Sequence, residues 1–114
     1  MKTLTYLACP YSGTAFQREQ RFHAVNRVAS DLMRKGVHLV SPVSMNHPIA
    51  MAGGLPMGWD FWEPFDRALL ECCAKVIVLK LDGWELSTGV AAEIAIAKEL
   101  GIPVEFMDAP GDEL

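Results

Sequence analysis

The chain has 114 residues, 51% of them apolar, and a net charge of −4. That is enough for one domain, 1–114, with a core of its own and no need of metal or disulfide staples. The mild acidity argues against a nucleic-acid partner, which calls for a basic stripe, but leaves room for a small phosphorylated ligand held by local donors.

Residues 3–8 alternate and are rich in β-formers, and read as a first strand. The opening "MKTLTYLACPYSG" is too short an apolar run for a signal sequence, and "CPYSG" reads as a turn. Residues 16–35 carry Phe22, Val25, Val28 or Ala29, and Leu32 at helical spacing, and Gly36 stops them. "VHLVSP" is a second strand. Residues 44–59 hold Pro, Gly and Met in quantity and read as a long loop with room for one helical turn, of the length that is usually functional. Residues 60–73 have helical apolar spacing, "VIVLKL" is a buried strand, 88–100 is a helix ended by Gly101, and "PVEFM" is a last strand.

This alternation predicts an α/β protein: a small parallel, Rossmann- or flavodoxin-like sheet with helices on both faces. Three cysteines, two of them adjacent, make a poor disulfide framework and suggest reduced thiols in a cytoplasmic protein. No stretch is long enough to span a membrane. The ending "GDEL" resembles a retention signal, read here as chance for want of a leader. His23, His38 and His47 lack metal-ligand spacing, so no metal and no other cofactor are expected.

In parallel sheets ligands bind beyond the carboxyl ends of the strands. "CPYSG", "SPVSMNHP" and "DGWELSTG" all fall there. Two carboxylates are out of place near them. On a wheel of roughly 100° per residue, Glu93 lies between Leu100 and Ala97, inside the apolar arc of its helix. Asp66 lies between Cys73 and Leu70, inside the arc formed with Trp62, Phe65 and Leu69. One stray acid is unremarkable; two, on helices flanking one strand, point to a shared pocket. Unequal surroundings would let such a pair divide the roles of acid and nucleophile. The plainer alternatives are an acid favoured by the start of its helix for Glu93 and, for Asp66, a pairing with Arg67, Arg34 or a buried backbone group. Ser87 or Thr88 can cap the last helix, and Gly89 lets a ligand approach its amides.

"PYS" after strand one, an aspartate on the helix before "VIVL", and "S-x-G-x-x-x-E" opening the next helix resemble the nucleoside 2-deoxyribosyltransferase superfamily. That superfamily includes the nucleoside 5'-monophosphate N-glycosidases. The wording "GW-x-x-S-x-G-V-x-x-E" is similar to a bacterial family of uncharacterised domains within it. The resemblance covers nearly the whole chain. It implies that Glu93 is a nucleophile that attacks the anomeric carbon, that Tyr11 holds it by a hydrogen bond, and that Asp66 is the acid or a sugar ligand. It further implies that Ser12, Ser87 and Gly89 bind the sugar or a 5'-phosphate. The substrate would be a nucleoside or nucleotide, and the protein a homo-oligomer. The ending "MDAPGDEL" lacks the asparagine-bearing tail of the transferases, which favours hydrolysis over base exchange. Asn46, His47, Trp59 and Trp62 can form a ligand pocket, or serve as turn, core or interface residues. Arg18 and Arg21 can reach a phosphate or lie on a solvated helix face. A non-catalytic nucleotide sensor, and a hydrolase of a larger nucleotide such as NAD, are the rival readings.

Overall fold

The computed structural model describes residues 1–110, and the "GDEL" ending lies outside them. Four strands, β1 (Leu4–Ala8), β2 (Leu39–Val40), β3 (Cys73–Lys80) and β4 (Val104–Asp108), form one parallel sheet in the order β2-β1-β3-β4. The register runs Tyr6 to Val76 and Ala8 to Val78 across the central pair, and Val78 to Phe106 at the β4 edge. Helices α1 (Ala15–Arg34), α2 (Pro42–Gly53), α3 (Trp59–Leu70) and α4 (Thr88–Leu100) supply the crossovers, with a 3-10 turn at Trp84–Leu86.

Successive side chains of a strand point to opposite faces, and the two cores follow that alternation. Tyr6, Ala8, Val76 and Val78 face one side, where they meet Leu70 of α3 and Val90, Ile96 and Ala97 of α4. Leu7, Cys9, Ile77 and Leu79 face the other, against Val25, Val28, Ala29 and Leu32 of α1. Burial on both faces is why β1 and β3 read as near-continuous apolar runs.

Local signals explain the element ends. Thr14 and Gln17 form a reciprocal capping box at the start of α1, with Gln17 N–H donating to Thr14 Oγ1 at 3.1 Å and Thr14 N–H to Gln17 Oε1 at 2.9 Å. Ser87 caps α4 by accepting the Val90 N–H at 3.2 Å.

The reading of 44–59 as a loop is wrong for most of its length: α2 occupies Pro42–Gly53. Pro42 sits at the start of the helix, where a proline needs no donor, and it cuts β2 to two residues. Gly54, at φ 65°, ends α2 in the left-handed conformation. Pro48 inside α2 and the exposed Met45, Ile49 and Met51 hide the helical period, because few of its apolar residues face the core. In α3, Phe65 belongs to the apolar arc of the sequence, yet it is 53% exposed; Leu100 at the end of α4 is also exposed. Among the described residues no helix is long and apolar enough to cross a membrane.

Candidate functional site

A pocket enclosing about 590 Å³, counting the space at its open mouth, lies at the carboxyl end of β1. All three expected segments reach it: Tyr11 and Ser12 after β1, Pro42 and Asn46 on α2, and Ser87 and Gly89 at the start of α4. Asp66 of α3 and Glu93 of α4 complete the polar wall, and Trp59 and Trp62 add two indole rings. The tryptophans are half-buried pocket residues, and Trp62 is oriented by a 2.9 Å hydrogen bond from its Nε1 to Pro56 O.

Both misplaced carboxylates are buried, each 6% exposed. Glu93 receives a hydrogen bond from the hydroxyl of Tyr6, and Asp66 receives one at 3.3 Å from Asn46 Nδ2. Among the described residues no lysine, arginine or histidine pairs with either. Arg67 instead bridges Glu63 and Glu99, and Arg34 pairs with Asp31, so the ion-pair alternative for Asp66 does not hold. Burial pushes Glu93 from its ordinary 4.5 up to about 8; the Tyr6 hydrogen bond opposes the rise, and the Asp66 charge adds to it. Burial likewise raises Asp66 to about 6, against the pull of the Asn46 amide and the Tyr6 hydroxyl. Tyr6 itself, buried between two acids, is held well above the usual phenol range. Two carboxyls thus share one buried phenol, and near neutral pH the cluster holds a proton that isolated carboxyls would have lost.

The residue that holds Glu93 is therefore Tyr6 and not Tyr11. A tyrosine inside an apolar strand was the available signal, but its inward face hid its polar end. Tyr11 also lines the pocket, yet its hydroxyl meets His47 Nδ1 at 2.5 Å, with Met57 Sδ at 3.6 Å. His47, 4% exposed, is closed off on its other side by Glu19, with Nε2 2.6 Å from Oε2. Its ring stacks on Phe22 at 4.4 Å. His47 does not line the pocket and stands behind Tyr11, which corrects its expected place as a ligand contact.

Ser12, Asn46, Ser87 and Gly89 all line the pocket as expected. The Ser87 hydroxyl accepts one bond as a helix cap, which leaves its own O–H proton for a ligand acceptor. A methyl at Gly89 would stand 3.5 Å from the Trp59 ring, so the bare backbone keeps that wall open. Arg18 and Arg21 do not line the pocket. Arg18 Nη1 donates to Gly13 O at 2.6 Å, and Arg21 joins Ser12 O at 2.5 Å to Asp82 O at 3.1 Å. They tie the β1–α1 loop to the loop after β3. No group of three or more potential metal ligands occurs among the described residues.

Fold and pocket together define a parallel-sheet α/β protein with a carboxyl-lined cavity at the sheet's carboxyl edge. Residues 3–109 match the model of a family described as a domain of unknown function (DUF1937), and the chain belongs to that family. Comparison with curated proteins found no match.

Proposed function

We propose that the pocket binds a nucleoside or nucleotide and hydrolyses its N-glycosidic bond, with Glu93 as nucleophile. The observation that carries this reading is the Glu93–Tyr6–Asp66 cluster: two buried carboxyls from separate helices, without a basic partner among the described residues, on the wall of an open cavity. A fold does not keep two such groups cheaply. They suit a reaction whose transition state brings positive charge to them, as departure of a base from an anomeric carbon does.

Glu93 attacks the anomeric carbon, the base leaves, and water then cleaves the glycosyl ester. Tyr6 aims the carboxyl by its hydrogen bond. Trp59 and Trp62 offer ring faces for the base on the pocket wall. The resemblance to the nucleoside 2-deoxyribosyltransferase superfamily supports the same assignment. A cytoplasmic homo-oligomer fits it too, and light scattering of the purified protein tests the assembly.

The chemistry is tested by incubation with a panel of nucleosides and 5'-monophosphates, followed by chromatography for free base. Wild type releases base from at least one, and Glu93→Ala reduces the rate by about three orders of magnitude or more. Unchanged release in the variant removes Glu93 from the mechanism. A ligand that binds tightly with no turnover in wild type favours a sensor.

A further inference from the structure

The proton that the Glu93–Asp66 cluster holds near neutral pH sits on the attacking group, so the cluster offers the departing base no donor of its own. Glu93 is the attacking group. Asp66 accepts the amide hydrogen of Asn46 and, at about 6, is mostly ionised at neutral pH. The pocket wall also carries a polar group of another kind. The Tyr11 hydroxyl rests on a buried imidazole, and that imidazole rests on a carboxylate.

We infer that Tyr11 is the proton donor to the departing base, and that His47, oriented by Glu19, supplies and recovers the proton behind it. The inference rests on the N-glycosidase reading of the pocket.

The chain of contacts has one chemical sense. Glu19 is held below the usual carboxylate range, first by its hydrogen bond with His47, and so it is an anion that accepts from Nε2–H. With Nε2 committed as donor, Nδ1 has two settings. As a lone pair it takes the Tyr11 O–H and turns that proton away from the pocket. Protonated, it donates to the phenolic oxygen and frees the Tyr11 O–H to point at a ligand. The groups around the imidazole are Glu19 and His23 on α1, Tyr11 in the loop, and Arg18, whose guanidinium lies against the phenolic oxygen. Burial makes Tyr11 a poor acid unaided, and the Arg18 charge offsets part of that.

The balance closes over one turnover. With the one proton on the imidazole instead of on Glu93, the total charge is unchanged, the nucleophile is ionised and the donor is charged. The C–N bond then breaks, its electron pair goes to the base nitrogen, and the base takes the Tyr11 proton. The phenolic oxygen takes the Nδ1 proton, and Glu93 closes the ester. In the second half water attacks the anomeric carbon. Its proton returns through Tyr11 to Nδ1 as Glu93 leaves as carboxylate. Tyr11 touches the substrate; His47 and Glu19 are positioning residues that act through it.

A leaving group that needs no proton separates this role from a structural one. The test compares kcat/KM of wild type, Tyr11→Phe, His47→Gln and Glu19→Gln on two substrates. One is the nucleoside that wild type cleaves. The other is the 4-nitrophenyl glycoside of the same sugar, whose phenolate departs unprotonated. Tyr11→Phe is expected to lose about 10²–10³-fold on the nucleoside and less than about 3-fold on the nitrophenyl glycoside. His47→Gln follows the same selective pattern, and Glu19→Gln follows it more weakly. Glu19 lies half-exposed on α1, so its variant keeps the test open if Tyr11→Phe or His47→Gln fails to fold. Equal losses on both substrates, or no loss on the nucleoside, overturn the inference while leaving Glu93 chemistry standing. A wild type inert toward every N-glycoside defeats the N-glycosidase reading before any variant is compared, and this inference falls with it.

Discussion

At the scale of single residues, Glu93 and Asp66 make stability depend on pH. Glu93 ionises at about 8 in the folded protein against an ordinary 4.5, and Asp66 at about 6 against 3.8. Below the ordinary values both states are protonated and the fold bears no cost. As pH rises, unfolding releases protons that the folded protein keeps, so stability falls by up to about 1.4 kcal/mol per pH unit per group. The loss from Glu93 levels off above about 8. Glu93→Gln removes that dependence, so thermal melts should show the variant gaining on wild type between pH 5 and pH 8. A constant difference across that range would mean that Glu93 is ionised throughout. Tyr6→Phe removes the hydrogen bond that opposes the rise, so the Glu93 carboxyl band in infrared titration should move to still higher pH. If one proton serves both nucleophile and donor, kcat/KM falls as pH rises through about 8, where the cluster loses it. A rate that climbs through that point would mean that the donor's proton has another source.

Elements put these residues where they act. The β1–α1 loop is stapled by Arg18 and Arg21, and the Thr14–Gln17 capping box sets where α1 begins. Thr14→Ala should cost about 1 kcal/mol, a fall in Tm of about 4 °C for a chain of this size, read by calorimetry. Because Glu19 lies two residues beyond Gln17, near the start of α1, the same variant should also loosen the Glu19–His47 contact, which on the proposed reaction would show as slower base release. Helix α2 is the element that sequence patterns concealed. Its prolines and glycines look like loop punctuation, and its exposed Met45 and Ile49 break any apolar stripe. What holds it is placement: Pro42 at its start, Gly54 at its end, and packing on α1 and β1. By contrast α4 runs over the residues its pattern marks, 88–100, because small and apolar residues recur at helical spacing between a serine cap and Gly101.

At the scale of the molecule, one sheet with a core on each face sustains the pocket at its carboxyl edge. Leu70 and Val76 are fully buried where α3, α4 and the central strands meet. Leu70→Ala should cost about 2–5 kcal/mol, a large part of the roughly 5–15 kcal/mol available to such a domain. Denaturant titration should show a clear drop in midpoint. The strand and helix periods, and the displaced acids on two apolar arcs, are properties of neighbouring residues, so they could be read along the chain: they foretold a parallel α/β sheet and a pocket holding Asp66 and Glu93. Contacts between distant residues carry no such local trace. Tyr6 meets Glu93 across 87 positions, and Tyr11 meets His47 across 36. Which tyrosine holds the acid, and that a histidine stands behind the other, depended on how β1, α1, α2 and α4 pack, because only packing sets which side-chain ends meet once the apolar faces are buried.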